Sequence, residues 1–128
     1  GISRYTVDEL LKAAEKCAAL GIPAIALFPY VEKKNLEDAY RVDNLVGRAI
    51  AAIKKEKLPL GIIADVALDP YTPDGQDGIV KNGRVKNDTT LAALGKQALA
   101  LAEAGADILA PSDMMDGRVG YLRTALDK

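Results

Sequence analysis

Apolar residues recur along this chain with two different spacings, and the changes of spacing mark its elements. Val7, Leu10, Leu11, Ala14, Cys17 and Ala18 fall on one helical face, which predicts a helix over residues 6–20. Thr6 and Glu9 stand at capping-box spacing in front of it, and Gly21 with Pro23 stops it. Residues 24–28 are a short apolar run closed by Pro29, the mark of a buried strand. Residues 32–41 are charged and aperiodic, and a surface loop is expected there. A second helix is predicted over residues 43–55, with Leu45, Val46, Ala49, Ile50 and Ile53 as its stripe. A second strand follows over residues 60–68, apolar except at Asp65. Residues 78–86 read as a small β-hairpin, because Asn82-Gly83 suits the positive φ angles of a type I′ turn. Asn87 or Asp88 is expected to cap a third helix that runs to about residue 104, with Leu91, Leu94, Ala98, Leu99 and Ala102 facing inward and Gly105 ending it. A third strand over residues 106–110 and a fourth helix over residues 116–126 complete the series.

The order is thus α-β-α-β-hairpin-α-β-α. Strands that alternate with helices of this length form a parallel sheet with right-handed crossovers, so the fold class is α/β. No linker or low-complexity stretch interrupts residues 1–128, which are read as one domain.

Composition narrows the chemistry. With 49% hydrophobic residues the 128-residue chain is expected to be globular rather than disordered. The net charge of −1, with 17 basic and 18 acidic residues interspersed, leaves no basic face, so nucleic acid is not an expected partner. No apolar run is long enough to span a bilayer and no signal-peptide pattern opens the sequence, so no membrane partner is expected. Cys17 is the single cysteine; it permits no intrachain disulfide and suits a cytoplasmic location. Histidine is absent, which removes Ser-His-Asp and Cys-His nucleophilic sites and His-ligated metal. The available groups are Lys, carboxylates, Ser, Tyr and Arg.

Two segments concentrate those groups where strands open into loops. Residues 64–78 lead from an apolar strand into a Gly- and Pro-rich loop that carries Asp69, Asp74, Gln76 and Asp77. Asp65 interrupts the strand itself, either as a site carboxylate or as the partner of a buried basic or backbone group. The clustered aspartates can hold a hard cation such as Mg²⁺, or can be turn formers. Residues 110–118 repeat the pattern. Ser112 can bond a ligand or cap the next turn. Arg118 can bind a carboxylate or pair with a neighbouring aspartate. Met114 and Met115 read as packing. None of the eleven lysines ends an apolar strand, where desolvation would prepare one for imine formation.

These two segments resemble porphobilinogen synthase (δ-aminolevulinic acid dehydratase). The resemblance rests on Asp65-Val66-Ala67-Leu68-Asp69-Pro70-Tyr71-Thr72 with Gly75-Gln76-Asp77-Gly78-Ile79, and on Ala110-Pro111-Ser112-Asp113-Met114-Met115-Asp116-Gly117-Arg118. Residues 24–29, Asn87-Asp88 and residues 96–107 fit as well. It implies a partial (β/α) TIM barrel of about three βα units plus the hairpin. The activity implied is the condensation of two 5-aminolevulinate molecules to porphobilinogen in tetrapyrrole synthesis. Asp65 and Ser112 match substrate-facing positions. Zinc-dependent members carry cysteines where this chain has Ala67, Asp69 and Asp77, so the resemblance implies the cysteine-free branch, with Asp69 and Asp77 toward Mg²⁺ or a monovalent cation and no zinc. Gln76 matches a His-or-Gln position, and Asp74 stands where His is usual.

The family's two Schiff-base lysines belong to segments C-terminal to the second loop, and Lys128 matches neither. The chain alone is therefore expected to be inactive, and to bind 5-aminolevulinate only when the missing portion completes the site. Three parallel strands leave two exposed edges, so a homo-oligomer or a complementary fragment is expected as partner. The alternative is a truncated non-catalytic homologue or an engineered fragment that serves as a binding or self-assembling module.

Overall fold

In the computed structural model, which describes residues 2–128, the alternating pattern becomes a three-stranded parallel sheet with helices packed on it. The elements are α1 (Val7–Ala19), β1 (Ala24–Leu27), a 3₁₀ helix (Leu36–Tyr40), α2 (Leu45–Lys55), β2 (Gly61–Asp65), β3 (Val80–Lys81), β4 (Arg84–Val85), α3 (Asn87–Ala104), β5 (Ile108–Ala110) and α4 (Arg118–Leu126). The sheet order is β1-β2-β5, with Ala24 opposite Gly61 and Asp65 opposite Ala110. β3 and β4 pair as the expected hairpin around Asn82 and Gly83, both at positive φ.

The local chemistry follows the sequence closely at α1. The Thr6 side chain accepts from the Glu9 amide while the Glu9 carboxylate accepts from the Thr6 amide, and this reciprocal cap fixes the first turn. α2 starts from an Asn44 cap that accepts from the Gly47 amide. Gly105 closes α3 in the left-handed region at φ 111°. Ile62 and Ala64 of β2 are fully buried and join Ile50, Ile53, Leu94 and Ala98 in the core. Gly61, Ile63 and Asp65 alternate onto the half-open face, so the period of the strand itself turns Asp65 away from the packed helices.

Several expectations are corrected. Residues 32–41 are not an irregular loop throughout: Asn35 caps the 3₁₀ helix, whose Ala39 is fully buried and whose Leu36 and Tyr40 pack against the core. Neither Asn87 nor Asp88 caps α3; Lys86 occupies the cap position, and Asn87 uses its side chain to bond the backbone of Asp116 in both directions. Leu99 points outward rather than into the core, because the buried face of α3 runs through Thr90, Leu94, Gln97, Ala98 and Leu101, and Leu45 is likewise exposed at the first turn of α2, whose buried face runs through Val46, Ala49, Ile50 and Ile53. β1 is an edge strand with Ala26 exposed, not a buried one. β2 ends at Asp65; Val66, Ala67 and Leu68 stay buried but leave the ladder after the Val66 amide bonds to the Ala110 carbonyl. α4 begins at Arg118, two residues later than expected. No helix among the described residues is long and apolar enough to cross a membrane.

Candidate functional site

All three strands of the sheet run the same way, so their C-terminal ends share one edge, and the two acidic loops leave from there. Asp65 is the last residue of β2, and Ser112 follows β5 by two residues. The Ser112 hydroxyl donates to Asp65 Oδ1 at 2.5 Å. The two residues expected to face substrate are therefore in direct contact. Burial pushes the Asp65 carboxyl above the usual carboxylate range; the Ser112 bond opposes that shift, and the Asp77 charge adds to it.

The loop after β2 folds back through short backbone bonds. The amides of Tyr71 and Thr72 both donate to the Leu68 carbonyl, and the Thr72 hydroxyl donates to the Gln76 carbonyl. Gly78, at φ 82°, lets the chain pass close to Met115 and Val85; a Cβ there would meet Val85 Cγ1 at 2.8 Å and Met115 Cε at 2.9 Å. The Ile79 amide is then held by the Thr90 hydroxyl of α3. This path returns Asp77 toward Asp69.

Asp69, Asp77 and Asp113 each place a carboxylate oxygen within 4.8 Å of the others. Asp113 is the residue that sequence reasoning passed over. It is fully buried, its Oδ2 accepts from the Leu68 amide at 3.1 Å, and its Oδ1 has no hydrogen-bond partner. Burial drives its carboxyl up to about 6, the Leu68 and Gly78 amides opposing and the Asp77 and Asp69 charges reinforcing. The Asp69 carboxyl is raised by burial, then by Asp77 and Asp65. The sequence held one clue: an aspartate beside Ser112, at the end of a strand adjacent to β2, must approach the β2 loop.

The remaining candidates separate from this cluster. Asp74 and Gln76 are exposed, and Asp74 is not a member of the trio. Arg118 pairs with no aspartate: it donates to the backbone carbonyls of Pro111 and Met115 and so braces the loop after β5. Met115 packs in the core whereas Met114 is exposed, against the expectation that both pack. Lys34, from the segment read as a loop, reaches the rim and donates to the Asp69 carbonyl at 3.0 Å. Ala67 is buried, offers no donor atom from its side chain, and has its carbonyl taken by Gln97 Nε2 at 2.8 Å.

The donor set is all oxygen, one of its atoms is buried and unpartnered, and no basic side chain pairs with it among the described residues. Those properties fit a hard cation. The trio offers none of the thiolate or imidazole groups that zinc favours most.

The family model for delta-aminolevulinic acid dehydratase matches residues 1–128. The delta-aminolevulinic acid dehydratase of Bradyrhizobium diazoefficiens is 48% identical over 132 residues, covering 100% of this chain and 37% of its own length. That of Rhodobacter capsulatus is 47% identical, covering 99% of this chain and 40% of its own. Among solved structures, the Toxoplasma gondii porphobilinogen synthase in complex with its product porphobilinogen superimposes with a TM-score of 0.95 at 46% identity, over 99% of this chain and 38% of that one. The chain thus spans about 40% of the length of these relatives, and its sheet matches part of a TIM barrel.

Proposed function

The chain belongs to the delta-aminolevulinic acid dehydratase family, and from that premise we propose that it supplies the substrate-facing and cation-holding loops of a porphobilinogen synthase. The reaction is the condensation of two 5-aminolevulinate molecules to porphobilinogen. The observation that carries this reading is the 2.5 Å contact between Ser112 and Asp65, made across two neighbouring strand ends beside the carboxylate trio. Ser112 offers a hydroxyl and Asp65 a half-buried carboxyl whose raised pKa suits it to exchange a proton with a bound substrate. Asp69 and Asp77 hold Mg²⁺ or a monovalent cation, which when bound supplies positive charge beside the substrate.

The imine-forming amine comes from outside these 128 residues. Lys34 reaches the rim, but it is exposed and donates to a backbone carbonyl rather than lying desolvated. The edge strands β1 and β5, with exposed Phe28 just past one and Ile108 on the other, support a reading in which further protein continues the sheet. The lone cysteine fits a reducing compartment such as the cytoplasm.

The test is a chimera in which residues 1–128 replace the matching segment of the Bradyrhizobium enzyme. Porphobilinogen formation is expected, with Asp65→Asn and Ser112→Ala each lowering kcat/KM by roughly tenfold or more. A folded chimera that forms no porphobilinogen, or one indifferent to both substitutions, would overturn the reading.

A further inference from the structure

We propose that Asp113, delivered by the loop after β5, is the third protein ligand of the cation site whose other two ligands are Asp69 and Asp77. This rests on the cation-holding part of the function proposed above and changes its composition: the site is built by two loops rather than one.

The geometry supports a shared ion. Metal–oxygen distances of about 2.1 Å for Mg²⁺ and about 2.4 Å for Ca²⁺ place the ligand oxygens of one octahedral ion about 3.0–3.4 Å apart when adjacent and about 4.2–4.8 Å apart when opposite. One oxygen from each of the three carboxylates lies within 4.8 Å of the other two. Asp113 is also held in place from both sides. Its Oδ2 is fixed by the Leu68 amide, and its carbonyl accepts from the Met115 amide at 2.9 Å. That leaves Oδ1 buried and without a hydrogen bond of full geometry, the Gly78 amide lying near enough only to lower the carboxyl's pKa. None of the ion pairs among the described residues involves Asp69, Asp77 or Asp113, and Lys34 gives its ammonium to the Asp69 backbone. A buried carboxylate beside two further carboxylates is costly, and a cation satisfies all three at once. Ala67 cannot complete the set from within the first loop, since its side chain has no donor atom.

Mn²⁺ serves as the probe, because it takes the same hard oxygen ligands and is visible by electron paramagnetic resonance. In the full chain, Asp113→Asn is expected to weaken Mn²⁺ binding by at least about tenfold, as Asp69→Asn and Asp77→Asn do, whereas Asp74→Asn on the same loop leaves it within about twofold. Circular dichroism checks that each variant folds. The unsubstituted chain gives an independent reading. With three carboxylates on an octahedral ion, ¹⁷O-water couplings count about three bound waters; with two they count about four. Loss of binding in Asp69→Asn and Asp77→Asn but not in folded Asp113→Asn, or a count of four waters, would overturn the proposal while leaving the two-carboxylate site intact. Absence of Mn²⁺ binding to the unsubstituted chain would remove both cation readings. The substrate-facing roles of Asp65 and Ser112 are judged separately, by product formation in the chimera.

Discussion

The two ends of the parallel sheet treat carboxylates in opposite ways. At the N-terminal end Asp107 stands just before β5. Its Oδ2 receives the Lys54 ammonium at 2.6 Å and the Ile62 amide at 2.8 Å, and these bonds hold its carboxyl below the usual range. This aspartate ties α2, β2 and β5 together. At the C-terminal end Asp65, Asp69, Asp77 and Asp113 gather with no salt bridge to them among the described residues, Lys34 only lying near enough to oppose the rise at Asp69, and burial raises Asp65, Asp69 and Asp113. One end is satisfied by the protein's own charges, while at the other the ionised carboxylates cost stability that a bound cation would recover. The first arrangement serves the fold and the second serves a ligand.

Titration separates the two ends most strongly. Asp113 has a higher pKa folded than its ordinary 3.8, so the folded chain binds more protons than the unfolded one between about 4 and 6. Without a cation, stability is therefore expected to fall as pH rises through that window, by about 3 kcal/mol from Asp113. Asp65 and Asp69 act in the same direction. Asp107 has the opposite sign: its contribution is present above its unfolded pKa and is lost as pH falls through its depressed folded value. Urea unfolding of the ion-free chain from pH 3 to 8 checks this. A flat or rising curve between pH 4 and 7 would erase the contrast.

Gly78→Ala probes the architecture that brings Asp77 back to the cluster. Its positive φ and the close Val85 and Met115 atoms predict a loss of about 2 kcal/mol, read as a lower urea midpoint with an unchanged slope. A midpoint equal to that of the parent chain would show that the return of the loop is not sterically set.

A paired substitution sharpens the comparison further. At pH 7.5 without cation, Asp113→Asn is expected to stabilise the chain by about 1–2 kcal/mol, since it keeps an acceptor for the Leu68 amide and removes a buried charge. Asp107→Asn is expected to destabilise it, by less than about 1 kcal/mol because the Lys54 pair is partly exposed. Changes of the same sign would contradict the division between the ends.

Much of this was legible in the sequence, for identifiable reasons. Helix α1, the hairpin turn and the parallel order follow from capping residues, Asn82-Gly83 and alternating periodicity, all of which are local signals. The pairing of Asp65 with Ser112 was legible only through family resemblance, because their contact joins residues 47 positions apart. Asp113 was missed because its burial and its bare oxygen arise from the meeting of two loops, which no local pattern encodes. The 3₁₀ helix was missed because Asn35, Leu36, Ala39 and Tyr40 make too short a stripe among charges. Leu99 misled because the buried face of α3 follows Thr90, Leu94, Gln97, Ala98 and Leu101, and Leu99 falls off that face.

The thermal midpoint of the chain at pH 7.5, followed as Mg²⁺ is added, tests the difference between the ends most directly. A steady rise with Mg²⁺ concentration that disappears in Asp113→Asn is the predicted result, because an ion held only by the folded state stabilises it by mass action. A midpoint unmoved by Mg²⁺, Ca²⁺ or K⁺ would contradict it.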